Sequence, residues 1–344
     1  VGRLNKAIYG LVQAGRCWEH KLCDDMTTIG FEQAKTDPCV FRKVVEGEAE
    51  MVVVVHVDDI LAHAKDQATM GRFAAELGQK FKLEDMGDAG YYMGYTGCVE
   101  SANALKGGRT AEPGGEGRNE EVSVPGGSGG AYVDGDEETS GHCVRRTRCS
   151  KVLRKPGPAH KKAVVKTLQY LLHMKEGGIT YGGQGCGLCI EAYTDSNFGT
   201  CLDTRRSVSG AVLMLVKGAI SWDLRVQEVT ASGTSEVKYV AFSEVVKELL
   251  FLRQVQEFME PSMRISAVDV FKDNEGTIKL ATNKIASRRT KHIDAKHHLV
   301  RDASDARKVR VADVRSEDQY ADLLAKPLGM QKFQKHAKFI LNIV

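Results

Sequence analysis

Met51-Val-Val-Val-Val-His-Val-Asp-Asp-Ile60 is a run of β-branched residues that meets two adjacent carboxylates and then resumes as Leu61-Ala62-His63-Ala64. Consecutive valines favour a strand covered on both faces, whereas Asp58 and Asp59 disfavour strand and favour a tight turn. The stretch therefore predicts a β-hairpin with acids at its tip. Carboxylates held by a buried strand suit hard divalent cations such as Mg2+, which prefer oxygen ligands. The same pair suits an ordinary turn exposed to water, and the flanking chain has to decide between them.

Toward the N-terminus, Leu4, Ile8, Leu11, Trp18, Leu22 and Met26 recur at three-to-four-residue spacing and predict helix within Leu4 to Gly30. Asp37-Pro38 marks a turn, Cys39-Val40-Phe41 opens a strand, and Glu46-Gly47-Glu48 turns into the valine strand. Beyond the acids, Gln67 to Phe81 predicts a second amphipathic helix, and Gly87 to Gly94 a loop and strand.

Five ordered blocks carry a resemblance: Leu4-Asn-Lys-Ala-Ile-Tyr-Gly-Leu-Val-Gln13, Gly30-Phe31, Thr36-Asp-Pro-Cys39, Val57-Asp-Asp-Ile60, and Met86-Gly87 through Tyr92-Met-Gly94. In order and spacing they resemble the reverse transcriptase of Ty1/copia-type retrotransposons. The resemblance implies a polymerase palm over residues 1–100, with Asp58 and Asp59 as catalytic acids that hold Mg2+. Deoxynucleotides would be its substrates if the site is completed. It further implies a first metal-binding aspartate on a strand preceding the Tyr9-Gly-Leu block, a position that the chain as given starts too late to contain. The palm is therefore expected to be partial and unable to extend a primer. His56 stands where the family carries tyrosine.

Ser101 to Ser150 is rich in glycine and acids and poor in apolar surface, which predicts a disordered linker. Lys155-Pro-Gly-Pro-Ala-His160 then starts a connection helix, within residues 151–186, whose apolar face is Val164, Val165, Leu168, Leu171, Leu172 and Met174. From Leu188 the period switches to two, and three strands, a long helix ended by Pro261, a strand, a helix and a last strand follow. This α/β (α+β) order predicts a ribonuclease H-like mixed sheet over residues 187–330, with a C-terminal tail at 331–344. Ligands in such sheets gather at strand carboxyl ends, where Asp195 and Asp273 fall.

This half resembles the same family through Tyr193-Thr-Asp195, Asp203 to Gly210, Ile220-Ser-Trp222, Ser235 to Ala241, Lys247 to Leu252, Asp273-Asn274, Thr290 to Asp294 with His298, and Ala321 to Leu328. The resemblance implies a ribonuclease H that cuts the RNA strand of an RNA/DNA hybrid, with four carboxylates holding two Mg2+ ions. Asp195, Asp273 and Asp322 match three of the four. Lys238 stands where the fourth, a glutamate, is expected. An ammonium cannot ligate a cation, and its charge within ~4 Å opposes one, so weakened metal binding and impaired hydrolysis are expected. The implied protein is a fragment of a copia-type Pol polyprotein impaired in both activities; the alternative is a catalytically dead or domesticated nucleic-acid-binding remnant.

Arg205, Arg206, Arg288, Arg289, Lys291 and His292 are candidate phosphate contacts, consistent with nucleic acid and RNA/DNA hybrid as partners. A solvated helix with satisfied histidines is the competing reading of the last four. Cys186-Gly-Leu-Cys189 lacks a second pair, and the histidine spacing fits no zinc template. Nine scattered cysteines and no signal peptide predict reduced thiols and an intracellular, cytoplasmic or nuclear, location. No apolar run approaches the ~20 residues of a membrane span, so no membrane partner is expected, while further polyprotein segments are.

Overall fold

The computed structural model describes residues 13–57, 59–88, 91–92, 95–96, 102–107, 157–173, 178–182, 189–199, 205–228, 233–262, 265–282 and 294–342. The described residues fall into two compact units: those up to 107 together with 251–262, and those from 157 to 250 together with 265–342.

The first unit runs α1 (Ala14–Thr28), β1 (Glu32–Gln33), β2 (Val40–Val45), β3 (Glu48–His56), β4 (Asp59–Ala64), α2 (Gln67–Gly78), β5 (Leu83–Asp88), β6 (Tyr91–Tyr92), β7 (Tyr95–Thr96) and β8 (Ala102–Gly107). Its antiparallel sheet has the order β1-β2-β3-β4-β8-β5. The expected hairpin is β3–β4. Its valines differ from expectation, because Met51, Val53 and Val55 are buried while Val52 and Val54 are only half-buried. The buried row packs with Leu22 and Met26 of α1 and Met70, Phe73 and Leu77 of α2, so one face carries the core. Asp66 caps α2 by accepting from the Thr69 amide at 2.7 Å. Asp25, buried on α1, pairs with Lys21 at 2.7 Å and with Lys80 just beyond α2 at 2.9 Å.

One expectation is corrected here. Residues 102–107 of the expected linker form β8, which pairs with β4 and β5. The entropic argument for disorder holds for glycine-rich chain, but Ala102-Asn-Ala-Leu-Lys-Gly107 can pair with the outer edge of β4, whose backbone groups need partners. Residues 108–150 of that expectation lie outside the described residues, as does the Leu4 to Gln13 block but for its last residue.

The second unit comprises α3 (Pro158–His173), β9 (Ile190–Asn197), β10 (Val208–Leu215), β11 (Gly218–Val226), α4 (Thr234–Met259) as far as Leu250, β12 (Val268–Lys272), α5 (Glu275–Thr282), α6 (Asp294–Asp305), β13 (Val309–Asp313), a 3-10 turn at Ser316–Asp318, α7 (Asp322–Ala325) and α8 (Met330–Leu341). Its sheet has the order β11-β10-β9-β12-β13. The β11, β10 and β9 strands are antiparallel, and β9, β12 and β13 are parallel. This is the ribonuclease H-like mixed sheet read from the sequence. On one face, Tyr193, Val212 and Met214 pack with Ala321, Leu324 and Ile340 of the C-terminal elements. Residues 330–341, in the stretch expected as a tail, form α8. The connection helix forms as α3, but Val164, Val165, Leu168 and Leu172 on its apolar face are exposed. No helix among the described residues is long and apolar enough to cross a membrane.

Candidate functional site

The centre of the second unit is where its sheet changes sense. β9 and β12 share a ladder only as far as Tyr193 opposite Phe271, although both strands continue. Side chains then take over from the ladder. Lys272 Nζ donates to the Thr194 carbonyl at 2.9 Å, and Gln319 Nε2 reaches the Thr194 and Phe271 carbonyls at 3.4 and 3.3 Å. Buried carbonyls are thereby satisfied without backbone pairing. The opening at the carboxyl ends of the two strands holds Asp195 and Asp273, and Asp322 begins α7.

Gly210 explains how α7 comes so close. It is the cross-strand neighbour of Asp195, and a Cβ there would lie 3.0 Å from the Ala321 carbonyl, the Ala325 amide and Leu324 Cβ. Only a residue without a side chain lets α7 settle directly on the strand.

The three aspartates are brought together, but by lysines. Lys238 Nζ lies 2.8 Å from Asp195 Oδ1 and 2.6 Å from Asp273 Oδ1. Lys326 Nζ lies 2.6 Å from Asp195 Oδ2 and 2.8 Å from Asp322 Oδ1. Lys332 Nζ, from α8, takes Asp322 Oδ2 at 2.8 Å and the Ser316 carbonyl at 2.9 Å. The result is an alternating chain, Asp273–Lys238–Asp195–Lys326–Asp322–Lys332. Neither oxygen of Asp195 has an aligned hydrogen-bond donor, so its compensation is the charge of the two ammoniums beside it.

The electrostatics follow from that arrangement. Burial by itself would raise the Asp195 carboxyl, but Lys326, Lys238 and Lys272 outweigh it and hold the group at about 2. Burial opposes the charge on Lys238 and Lys326, yet Asp195 and its fellow carboxylates keep both above the ordinary lysine range. Lys272 has no exposed surface and bonds only carbonyls, and burial pushes it down to about 8 against the pull of Asp195.

In the first unit, Asp59 opens β4 opposite His56 on one side and Lys106 on the other, and Asp58 lies outside the described residues. The hairpin turns through Val57, whose φ of 55° is the left-handed region that a β-branched residue rarely adopts. The Trp18 indole donates to the Val57 carbonyl at 2.9 Å and holds this turn against α1. Arg205 and Arg206 are exposed just before β10, at the sheet end that carries Asp195. Arg288, Arg289, Lys291 and His292 lie outside the described residues.

Residues 1–106 match the family model described as reverse transcriptase (RNA-dependent DNA polymerase). The chain is 26% identical over 97% of its length to a retrovirus-related Pol polyprotein from transposon TNT 1-94 of Nicotiana tabacum. It is 27% identical over 99% of its length to that from transposon RE2 of Arabidopsis thaliana. Over nearly its whole length the chain is thus similar to copia-type retrotransposon Pol polyproteins. It spans 28% and 25% of the length of those two relatives. Among solved structures, it is similar to an N-terminal RNase H domain from Mycobacterium tuberculosis, at 11% identity and a TM-score of 0.30, over 44% of this chain and 98% of that one. It is also similar to LC11-RNase H1 in complex with RNA/DNA hybrid, at 16% identity and a TM-score of 0.30, over 39% of this chain and 92% of that one.

Copia-type Pol ribonuclease H resemblance implies Mg2+ on these carboxylates, and the residues present do not fit it. Mg2+ takes oxygens at about 2.0–2.1 Å in an octahedron. In this chain five of the six oxygens of Asp195, Asp273 and Asp322 already face an ammonium within 2.8 Å. The sixth, Asp273 Oδ2, has the Ser316 hydroxyl at 3.5 Å. Among the described residues no group of three or more His, Cys, Asp or Glu side chains is arranged to hold a metal.

Sequence reading picked out the three aspartates and Lys238 but missed Lys272, Lys326, Lys332, Gln319 and the role of Gly210. Only Lys326 left a local signal, since it stands four residues after Asp322 where helical neighbours meet. The others act through pairings between distant segments.

Proposed function

We propose that this chain carries two activities by resemblance: an RNA-directed DNA polymerase palm, residues 1–100, and an RNA/DNA-hybrid ribonuclease domain, residues 187–330, the second in impaired form. What remains is attraction for nucleic acid. The reading rests on one observation, the Lys238 ammonium seated 2.8 and 2.6 Å from Asp195 and Asp273.

Hydrolysis of a phosphodiester needs a water activated near neutral pH and a counter-charge on the departing oxygen, which paired divalent cations supply in metal-dependent nucleases. Here the carboxylates that would hold them neutralise lysines instead. Asp195 at about 2 stays ionised and committed to Lys326 and Lys238, so it is a poor general base for water. Arg205 and Arg206, exposed at the sheet end that carries Asp195, supply charge that attracts a phosphate backbone without cutting it. At the palm hairpin Asp58 and Asp59 are the proposed metal-holding acids, with deoxynucleotides as the proposed substrates.

The deciding experiment uses an RNA/DNA hybrid labelled on its RNA strand. The chain is expected to bind it with an affinity that falls steeply with salt, and to leave the RNA intact in Mg2+. Robust cleavage that vanishes in Asp273→Asn protein would overturn the impairment, and salt-insensitive or absent binding would overturn the nucleic-acid reading.

A further inference from the structure

The six-membered ion-pair chain is closed off from water at its acids and more open at its outer bases. The side chains of Asp195, Asp322 and Asp273 are 0%, 4% and 8% exposed, against 14% for Lys238 and 30% and 34% for Lys326 and Lys332. A divalent cation arriving at the mouth therefore meets ammoniums first, and it could reach a carboxylate only by breaking a buried pair. With the buried Lys272 acting on Asp195 as well, three carboxylates stand against four ammoniums. A glutamate at position 238 would swing this balance by two negative charges beside a buried aspartate. A swing of that size is what one divalent cation offsets.

We propose that Lys238 is a built-in cation: its ammonium takes the bridging place of a divalent ion between Asp195 and Asp273, so that the fold of the second unit does not depend on Mg2+. The proposal builds on the reading of Asp195, Asp273 and Asp322 as carboxylates that would otherwise hold metal, and it concerns folding rather than turnover. Lys238 suits the part because one nitrogen touches an acid within β9 and another just past the end of β12, where their ladder has stopped. It thereby ties together the two strand ends that the sheet itself leaves unpaired, while Lys326 and Lys332 tie in α7 and α8.

The test is thermal unfolding of the full chain in EDTA and in millimolar Mg2+ at matched ionic strength. The unmodified protein should melt at the same temperature in both, and so should Lys238→Arg, which keeps the charge. Lys238→Glu should melt lower in EDTA, by on the order of 10 °C, and recover most of the loss in Mg2+. Lys238→Gln, which removes an ammonium without adding an acid, should show a smaller loss and a smaller recovery. A wild-type melting point raised by Mg2+, in an Asp59→Asn background that excludes the palm hairpin, would overturn the proposal. So would Lys238→Glu or Lys238→Gln proteins as stable in EDTA as the wild type. The two readings fail separately: hybrid cleavage with a Mg2+-indifferent melting point sinks the impairment alone, and a Mg2+-dependent melting point without cleavage sinks the built-in cation alone.

Discussion

Gly210→Ala is the sharpest probe of the geometry that gathers the acids. The new Cβ would stand 3.0 Å from two backbone atoms and one side-chain carbon of the α7 segment, so α7 must move outward by a few tenths of an ångström. Backbone cannot rotate away as a long side chain can, and overpacking of this kind costs about 1–3 kcal/mol. Against it stands the gain of roughly 0.5–1 kcal/mol when alanine replaces glycine inside a strand. The net expectation is a loss of about 1–2 kcal/mol, or roughly 3–8 °C in melting temperature for a unit of this size. Because Lys326 closes α7 and moves with it, the same displacement lengthens its contact to Asp195 on β9, now 2.6 Å. Urea unfolding gives the stability, and the same variant in a Leu324→Ala background tests the mechanism, since removing Leu324 Cγ and Cδ atoms loosens α7 and should shrink the penalty. Gly210→Ala protein as stable as the parent, or more stable, would refute the close approach of α7 to β10.

The remaining expectations follow from other contacts. Lys238→Glu should restore part of the cleavage of RNA in an RNA/DNA hybrid with Mg2+, measured on a labelled RNA strand; a folded, inactive variant would mean that the other lysines or further changes also close the site. Val57→Gly should stabilise the first unit by up to about 1 kcal/mol in urea unfolding, because a left-handed φ is strained for valine and free for glycine, and a loss would show that the turn is held differently. Trp18→Phe, which keeps the ring and loses the donor to the Val57 carbonyl, should cost about 0.5–1 kcal/mol by the same measurement, and no change would mean that water replaces the indole. For Asp25, burial raises its carboxyl but Lys21 and Lys80 more than offset it, so the folded value lies below the unfolded one. Its stabilisation is present above the ordinary aspartate range near ~4 and is lost as pH falls through the folded value. The wild type should therefore lose stability more steeply than Asp25→Asn on acidification below that range, and parallel acid curves would count against the pair.

Much of the fold was legible because it is written in local periodicity. The valine run and its Asp58-Asp59 break gave the β3–β4 hairpin, and the switch to alternating residues at Leu188 gave β9. What periodicity could not give was how far coverage extends. Val52 and Val54 look like Val53 and Val55 in sequence, yet helices pack on one face only, and that choice is made by Leu22, Met70 and Phe73 at a distance. Strand β8 escaped notice for the related reason that Ala102 to Gly107 has little strand preference of its own and is recruited by the edge of β4.

The site was half legible for a different reason. Acids at strand ends announce themselves, because carboxylates are poor strand formers and their placement after an apolar run needs an explanation. Lysines do not, since a lysine on a helix is ordinary until its partner is known. Lys238 could be seen to be wrong for a metal ligand, but whether its ammonium turned outward to solvent or inward to the acids depends on the depth of Asp195, which is set by Gly210 and α7 together. Asp195 has no exposed surface and no aligned donor, so an outward-facing Lys238 would have left it with Lys326 beside it and the charge of the buried Lys272. A buried carboxylate stripped of one of its two ion pairs is the costlier state by several kcal/mol, and that difference turns Lys238 inward. Lys238 thus supplies part of the positive charge that the buried Asp195 needs, and its single nitrogen serves Asp273 as well.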